Sequence, residues 1–329
     1  MRQDLDELTS LSARLGADTS LVQGPGGNTS VKGDDGLMWV KASGTWLSQA
    51  TETDIFVPVR HAVILATIAA DHEALPPDAV AEGGPAGLRP SVETTLHALM
   101  PQRVVAHSHA VNAIATAVRK DAEAILAAKL AGLDWAFVPY CRPGLPLTQI
   151  VAQTLSERPV QLLLLGNHGL VVGADTAEDA LALTYEVEKR LAIAPRPAPT
   201  SPAKGEIDPA ISNGHWRRPI DAVSQAVAFD ERALAVARRG TLYPDHVVFL
   251  GHAIALRDEA ADDVPACVVP GRGVLVRHDL PQAGDWMIHA LSEVTLRLTP
   301  ADPIRYLSLE EEAALLNWDA EKYRQSLAR

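Results

Sequence analysis

The chain has 329 residues, of which 47% are hydrophobic and 21% charged, and its formal net charge is −12 at pH 7. This length allows one large domain or a large and a small one, and the composition is that of a globular protein rather than a disordered chain. The negative charge disfavours nucleic acid and anionic membranes as partners, and the low aromatic content of 5% offers no stacking platform for single-stranded nucleic acid.

No stretch of the sequence reaches eighteen uninterrupted apolar residues, so we expect no membrane span. The first residues, MRQDLDELTSLSARLG, predict an acidic amphipathic helix rather than a secretory signal. The two cysteines, Cys141 and Cys267, are too few for a disulfide framework. These features together favour a cytoplasmic protein.

The next segments predict a layered α/β domain over residues 1–194. Two short β-type runs, NTSVK and LMWVKAS, lie between glycine-rich turns and predict a hairpin. A helix is expected around RHAVILATIAADHEAL, and another is expected to begin at Ser91 and end near Pro101. Strand patterns then alternate with helix patterns; the strands are RVVAHSH, WAFVPY, VQLLLL and LVVG.

Residues 195–214 are rich in proline and small polar residues and are predicted to form a linker to a smaller C-terminal α/β domain, residues 215–329. Within that domain, LYPDHVVFLGHAI is similar to LMPQRVVAHSHAV, and GVLVRHD is similar to GLVVGAD. One interpretation is a degenerate partial repeat of the first domain, in which only His109 keeps a counterpart, His252. The alternative is that any strand–turn–helix unit shows such a likeness.

The stretch RVVAHSHAV contains His107 and His109, which the two-residue period of a strand directs to one face, where two imidazoles can share a metal ion. Such a pair also arises by chance in a chain with 11 histidines, so a third ligand is needed. His168, in the GNHG turn, is the candidate. Glu93, in the first turn of the preceding helix, is a candidate base, although an acid there also complements the helix dipole.

Several backbone N–H groups and polar side chains in the first third of the chain could cradle a phosphate or similar anion. They belong to the GPGGNTS turn, the ASGT turn and the expected helix start, and the residues are Gly27, Asn28, Ser43, Gly44 and Ser91. The GPGGNTS turn matches neither a dinucleotide-binding glycine motif nor a P-loop, so a nucleotide is disfavoured.

Six motifs occur in an order that closely resembles the class II aldolase/adducin family over residues 1–194. They are GGNTS, KASG, RPSVETTLHA, VVAHSHA, VPY and LLLGNHGLVVGADTAEDALALTYEVE. Through GPGGNTS, WVKASG, PSVETTLHA and the C-terminal NWDAEKYR, the chain looks most like the aldolase half of bacterial bifunctional rhamnulose-1-phosphate aldolase/alcohol dehydrogenases. The resemblance implies a three-layer fold, a central sheet with helices on both faces, and a homo-oligomer, commonly a tetramer.

The resemblance also implies the chemistry of the site. It implies a divalent metal, most often zinc, bound by His107, His109 and His168, with Glu93 as the base. Tyr140, in the VPY segment, would reach the site of a neighbouring subunit and handle the proton on the aldehyde oxygen.

The phosphate-holding positions of the family correspond here to Asn28, the Ser43 and Gly44 turn, and Ser91. One departure concerns Val92, which stands where fuculose-phosphate aldolases carry a second serine. This removes one phosphate donor, so the resemblance leaves open whether the substrate is phosphorylated.

The expected reaction is a metal-dependent retro-aldol cleavage of a ketose, or of a ketose 1-phosphate, to a dihydroxyacetone unit and an aldehyde. Three alternatives stand beside it. A sugar-phosphate epimerase, dehydratase or decarboxylase would use similar chemistry on the same scaffold. A non-catalytic adducin-like protein would only bind. A zinc hydrolase is disfavoured, because no leaving-group site is visible in the sequence.

Overall fold

The computed structural model describes residues 2–200, 214–251 and 264–327. Its N-terminal part is a seven-stranded sheet covered by helices, which confirms the predicted fold class. The strands are β1 (Asn28–Lys32), β2 (Leu37–Lys41), β3 (Phe56–Arg60), β4 (Val104–Ser108), β5 (Trp135–Val138), β6 (Leu162–Leu165) and β7 (Gly169–Ala174). The helices are α1 (Arg2–Ala17), α2 (His61–Ala69), α3 (Thr94–Leu99), α4 (Val111–Ala117), α5 (Ala122–Lys129), α6 (Leu145–Glu157) and α7 (Ala177–Leu191).

The strand order is β3-β2-β1-β4-β7-β6-β5, and all neighbours are antiparallel except β5 and β6. Strand β4 therefore lies in the middle, between β1 and β7. Its register places His107 opposite Asn28 on one side and opposite Val171 on the other. The predicted hairpin is the β1–β2 pair.

Helices pack on both faces of the sheet because strand side chains alternate between them. On β6, Leu162 and Leu164 join a buried cluster with α1 and α7 on one face. Leu163 and Leu165 join a cluster with α3 and α6 on the other. The uninterrupted apolar run of β6 is thus explained by burial on both faces.

The C-terminal region forms a smaller sheet with its own helices. The strands β8 (Trp216–Arg217), β9 (Ala266–Val269) and β10 (Gly273–Arg277) pair in the order β8-β10-β9, all antiparallel. The helices are α8 (Glu231–Ala237), α9 (Pro244–Leu250), α10 (Gln282–Thr295), α11 (Leu309–Leu316) and α12 (Asp319–Leu327). Most of the predicted linker, residues 201–213, lies outside the described residues. In the parts of the chain that are described, no helix combines the length and apolar character needed to cross a bilayer.

The structure agrees with one half of the proposed repeat and contradicts the other. Strand β10 followed by α10 has the same order as β7 followed by α7. The stretch matched to β4, however, is the helix α9, which begins at Pro244, a residue suited to the first turn of a helix. His252, the predicted counterpart of His109, lies outside the described residues.

One buried hydrophobic cluster contains residues of both the N-terminal and the C-terminal region. Val111, Ile114 and Val118, in and next to α4, belong to the same buried cluster as Ile288 and Leu291 of α10. The C-terminal region therefore docks on the helix that follows the His-x-His strand.

We expect Ile288→Ala to lower the free energy of unfolding by about 2–5 kcal/mol, because it leaves a cavity in this shared cluster. Urea unfolding followed by tryptophan fluorescence and by circular dichroism should show one shifted transition. Ile220→Ala is the control, since that side chain is 61% exposed. Two separate transitions, of which one keeps its midpoint, would contradict the shared core.

Candidate functional site

The three predicted histidines lie together at one end of the sheet. His107 is in β4, His109 follows the strand, and His168 lies in the turn between β6 and β7. All three are buried, and their ring centroids lie 4.9 to 5.5 Å apart. One ring nitrogen from each lies within 4.8 Å of the others. The group can therefore hold one metal ion.

The backbone of β7 orients His107. The Nδ1 atom of His107 lies 3.0 Å from the carbonyl oxygen of Leu170, so Nδ1 carries the proton and donates it. The Nε2 atom is buried and has no hydrogen-bond partner among the residues that the structure describes. Burial lowers the pKa of His107 to about 3, which keeps the ring neutral. A neutral, unpaired and buried nitrogen suits a metal ligand.

Glu93 faces these imidazoles. Its Oε2 atom accepts a hydrogen bond of 2.7 Å from the amide of Asn28 and lies 3.4 Å from Nε2 of His107. Its Oε1 atom lies 3.5 Å from Nε2 of His168. Burial opposes ionisation, whereas the hydrogen bond from the Asn28 amide favours the carboxylate form, and the pKa of Glu93 lies below its usual value. Glu93 is thus a carboxylate at neutral pH, placed to bind a metal or to move a proton.

The helix that follows Glu93 begins later than predicted. Helix α3 begins at Thr94, and Ser91 lies in the turn before it. The Ser91 hydroxyl accepts a hydrogen bond of 3.2 Å from the backbone N–H of Glu93, and its carbonyl accepts one from the N–H of Thr94. The serine therefore shapes the turn that presents Glu93 and does not cap the helix itself.

The five predicted anion-binding positions line one cavity, together with Glu93, His109 and His168; they are Gly27, Asn28, Ser43, Gly44 and Ser91. Gly27 has φ +66°, and a Cβ there would lie 2.7 Å from the carbonyl oxygen of His107. Glycine is therefore required for the turn to pack against β4. Phosphate binding by these five residues stays a prediction.

Two basic side chains, Lys41 and Arg324, line the same cavity. Lys41 is buried and its Nζ donates a hydrogen bond of 3.2 Å to the carbonyl oxygen of Pro25. Burial, with a smaller contribution from Arg324, lowers the pKa of Lys41 to about 7. The cavity thus combines a metal-binding group with two basic side chains, Lys41 and Arg324, which lie beside three acidic ones.

Three charged cavity residues from the C-terminal region were not predicted, namely Asp245, Glu321 and Arg324. The Oδ2 atom of Asp245 lies 3.3 Å from Nδ1 of His109. Arg324 donates two hydrogen bonds to Asp245, of 2.5 and 2.7 Å. The only sequence signal for them was the NWDAEKYR motif, which contains Glu321 and Arg324; Asp245 carries no local signal.

Tyr140 lies apart from the histidines. Its ring packs against a small cluster that includes Val247, Leu307 and Leu315, and the guanidinium of Arg305 lies 4.6 Å from the ring centroid. Its hydroxyl is buried and has no hydrogen-bond partner in the described part of the chain. The predicted action of Tyr140 in a neighbouring subunit's site stays a prediction.

The cavity beside His109, His168 and Glu93 has a small volume, about 20 Å³. A second cavity of about 690 Å³ lies next to it, and Ser91 and Val92 line both. A volume of this size holds about one water molecule or one ion. In the arrangement that the structure describes, the cavity is therefore too small to hold a sugar.

Comparison with known proteins gives matches to the N-terminal region. Residues 6–194 match the model of the class II aldolase and adducin N-terminal domain. The "Uncharacterized oxidoreductase YuxG" of Bacillus subtilis is 29% identical over 198 residues, which are 56% of this chain and 28% of that protein. The N-terminal class II aldolase domain of a conserved protein from Thermoplasma acidophilum is 29% identical with a TM-score of 0.49, covering 57% of this chain and 92% of its own. L-fuculose-1-phosphate aldolase from Thermus thermophilus is 19% identical with a TM-score of 0.37, covering 58% and 93%.

We expect the buried Lys41 to make stability rise with pH. Its pKa is about 7 in the folded protein and 10.5 ordinarily, so between these values the unfolded chain holds more protons and the free energy of unfolding rises. Urea unfolding from pH 7 to 10 should show that Lys41→Met lacks this part of the rise. The exposed Lys129→Met is the control. Parallel profiles for the wild type and Lys41→Met would contradict the prediction.

Proposed function

We propose a function from the premise that this chain belongs to the family of class II aldolase and adducin N-terminal domains. The proposal is a metal-dependent aldolase that cleaves a ketose, most favourably a ketose 1-phosphate, to a dihydroxyacetone unit and an aldehyde. The observation that carries it is the convergence of three buried histidines on the Glu93 carboxylate, which lines one cavity together with two of them, His109 and His168.

The residues present fit a divalent metal. His107 keeps a buried Nε2 without a hydrogen-bond partner among the described residues, and a carboxylate lies beside it. Three imidazoles without thiolates or further carboxylates favour zinc, and they leave coordination positions open for substrate. When bound, the metal would stabilise the negative charge that develops on the ketose oxygens.

Glu93 is the group placed to move a proton. In retro-aldol cleavage the bond between C3 and C4 breaks, the C4 hydroxyl loses its proton as the aldehyde forms, and C3 of the dihydroxyacetone unit gains a proton. Glu93 has one carboxylate oxygen, Oε1, without a hydrogen-bond donor in the described structure. We assign to Glu93 the proton transfer at C3: as a carboxylate it removes this proton in the condensation direction, and in its protonated form it returns the proton to C3 in cleavage.

In the condensation direction the aldehyde oxygen needs a proton donor, and in cleavage the ionised form of the same group takes back the proton of the C4 hydroxyl. Tyr140 is the candidate from the family resemblance, but its hydroxyl is buried away from the histidines in this chain. Its proposed role therefore depends on assembly into the homo-oligomer, a tetramer by family resemblance, and on a rearrangement that exposes the hydroxyl.

Substrate charge is the reason to favour a phosphorylated ketose. Lys41 and Arg324 line the cavity together with the backbone N–H groups and hydroxyls at Ser43, Gly44 and Ser91. Proteins bind phosphate through basic side chains and through oriented N–H groups that donate hydrogen bonds to its oxygens. They compensate for the donor lost at Val92.

Release of dihydroxyacetone phosphate from a panel of ketose 1-phosphates tests the proposal, with metal content measured on the same samples. We expect His107→Ala to lose both bound metal and activity, because a three-ligand site cannot spare one imidazole. We expect Glu93→Gln to lower the rate about 10²- to 10⁴-fold, because it removes the proton-transfer group.

The exposed His278→Ala is the control for both variants. Product release that survives in both His107→Ala and Glu93→Gln would refute the site. A diastereomer without a three-carbon product would indicate an epimerase on this scaffold. Metal-free protein inactive on every ketose would favour the adducin-like binding role.

A further inference from the structure

We propose that the C-terminal region completes the candidate metal centre, with Asp245 as the positioning residue for His109. The inference rests on the proposed metal site but not on the reaction assigned to it. It extends the site beyond residues 6–194, the part of the chain that matches the family.

Asp245 is placed to set the tautomer of His109. It is the second residue of α9, only 3% exposed, and its Oδ2 lies 3.3 Å from Nδ1 of His109. A carboxylate only accepts, so Nδ1 carries the proton and Nε2 keeps its lone pair. A carboxylate behind a histidine ligand fixes the ring and raises the basicity of the nitrogen that binds the metal.

Arg324 holds Asp245 in this position and in its ionised form. The guanidinium donates two hydrogen bonds, of 2.5 and 2.7 Å, to the two carboxylate oxygens of Asp245. The result is a chain of contacts from α12 through α9 to His109.

The same region also braces the turn that carries His168. Asn167 adopts φ +50°, and its side-chain amide donates hydrogen bonds of 2.8 Å to the carbonyl oxygens of Leu242 and Arg305. Asparagine tolerates this left-handed backbone better than most residues. Two of the three histidines are therefore held by groups that lie after the predicted linker.

The test measures zinc affinity of the full chain by competition with a chromophoric chelator, with no sugar present. We expect Asp245→Asn to weaken zinc binding about 10- to 100-fold, as loss of a carboxylate behind a histidine ligand does. Arg324→Gln should weaken zinc binding less, because Asp245 remains and loses only the two hydrogen bonds from Arg324. The visible spectrum of the Co²⁺-substituted protein should change in Asp245→Asn.

The matched control is Asp285→Asn. Asp285 is equally buried and also accepts two hydrogen bonds from an arginine, Arg217, but it contacts no residue of the site. Unchanged affinity in both Asp245→Asn and Arg324→Gln, or an equal loss in Asp285→Asn, would overturn the proposal. Because no sugar is used, a failed aldolase assay leaves this result unaffected.

A separate observation, the cavity volume, leads us to infer that α12 is a lid over the site. The cavity of about 20 Å³ is far below the roughly 300 Å³ or more of typical ligand pockets. Glu321 and Arg324 of α12 form part of its wall. Leu327, in the last turn of the helix, packs over Gly44, so the helix also covers the predicted anion site.

Polar contacts hold α12 in place. Besides the Arg324–Asp245 pair, the hydroxyl of Tyr323 donates a hydrogen bond of 3.2 Å to the carbonyl of Gly87, and Arg89 lies over its ring at 4.4 Å. Glu321 is the one residue of α12 that is fully buried within the described helix. Elements with so little buried apolar surface open at low free-energy cost.

We expect Tyr323→Ala to raise hydrogen exchange in residues 319–327 several-fold and to speed removal of bound zinc by EDTA, with equilibrium zinc affinity within about twofold of wild type. Tyr185→Ala, which removes an exposed tyrosine bonded to Asp18, is the control. Exchange in α12 that equals the wild type would overturn the lid, and this readout needs neither metal nor activity.

Discussion

Antiparallel pairing of β4 with β1 and β7 is the constraint on which the site depends. It sets His107 opposite Asn28, and it brings the start of β7, next to His168, beside the end of β4. A slip of one residue in this pairing would turn His107, and with it the following His109, to the opposite face. The slip would also remove Val104 and Ala106 from the buried cluster on one face and Val105 from the cluster on the other, which opposes it.

The charges in the cavity show why this group suits a metal. Asp245 is compensated by the two hydrogen bonds from Arg324. Glu93 is ionised, but its close neighbours are the Asn28 amide and imidazoles that burial keeps neutral. A buried carboxylate without a cation at hydrogen-bond distance is costly. A divalent ion among the three histidines would offset that cost and use the unpaired Nε2 of His107.

The C-terminal region has a direct structural relation to this chemistry. It shares a hydrophobic cluster with α4, contacts His109 through Asp245, and holds the His168 turn through the carbonyls that accept from Asn167. Arg324 connects these contacts to α12, so opening the helix would also release Asp245. Under our two proposals, closure of the lid and the final orientation of His109 are one event.

The sequence by itself determined the local part of this description. The two-residue period of a strand put His107 and His109 on one face, the apolar run before GNHG placed His168 at a strand end, and the ordered motifs identified the family. These are properties of neighbouring residues, which a linear pattern records. The interpretation of a partial repeat, which matched the α9 stretch to β4, fails there for the same reason, because a likeness of local sequence does not record the contacts that decide between strand and helix.

Only the tertiary structure decided which distant groups complete the site. Asp245 reaches His109, and Arg324 reaches Asp245, in a region that docks through the packing of α4 against α10; neither residue has a spacing that predicts its contact. The burial of Tyr140 against Leu307 and Leu315 has the same origin. Hydrogen bonds and packing between separate segments depend on how the two regions dock, and docking is set by the summed burial of many side chains rather than by any local pattern.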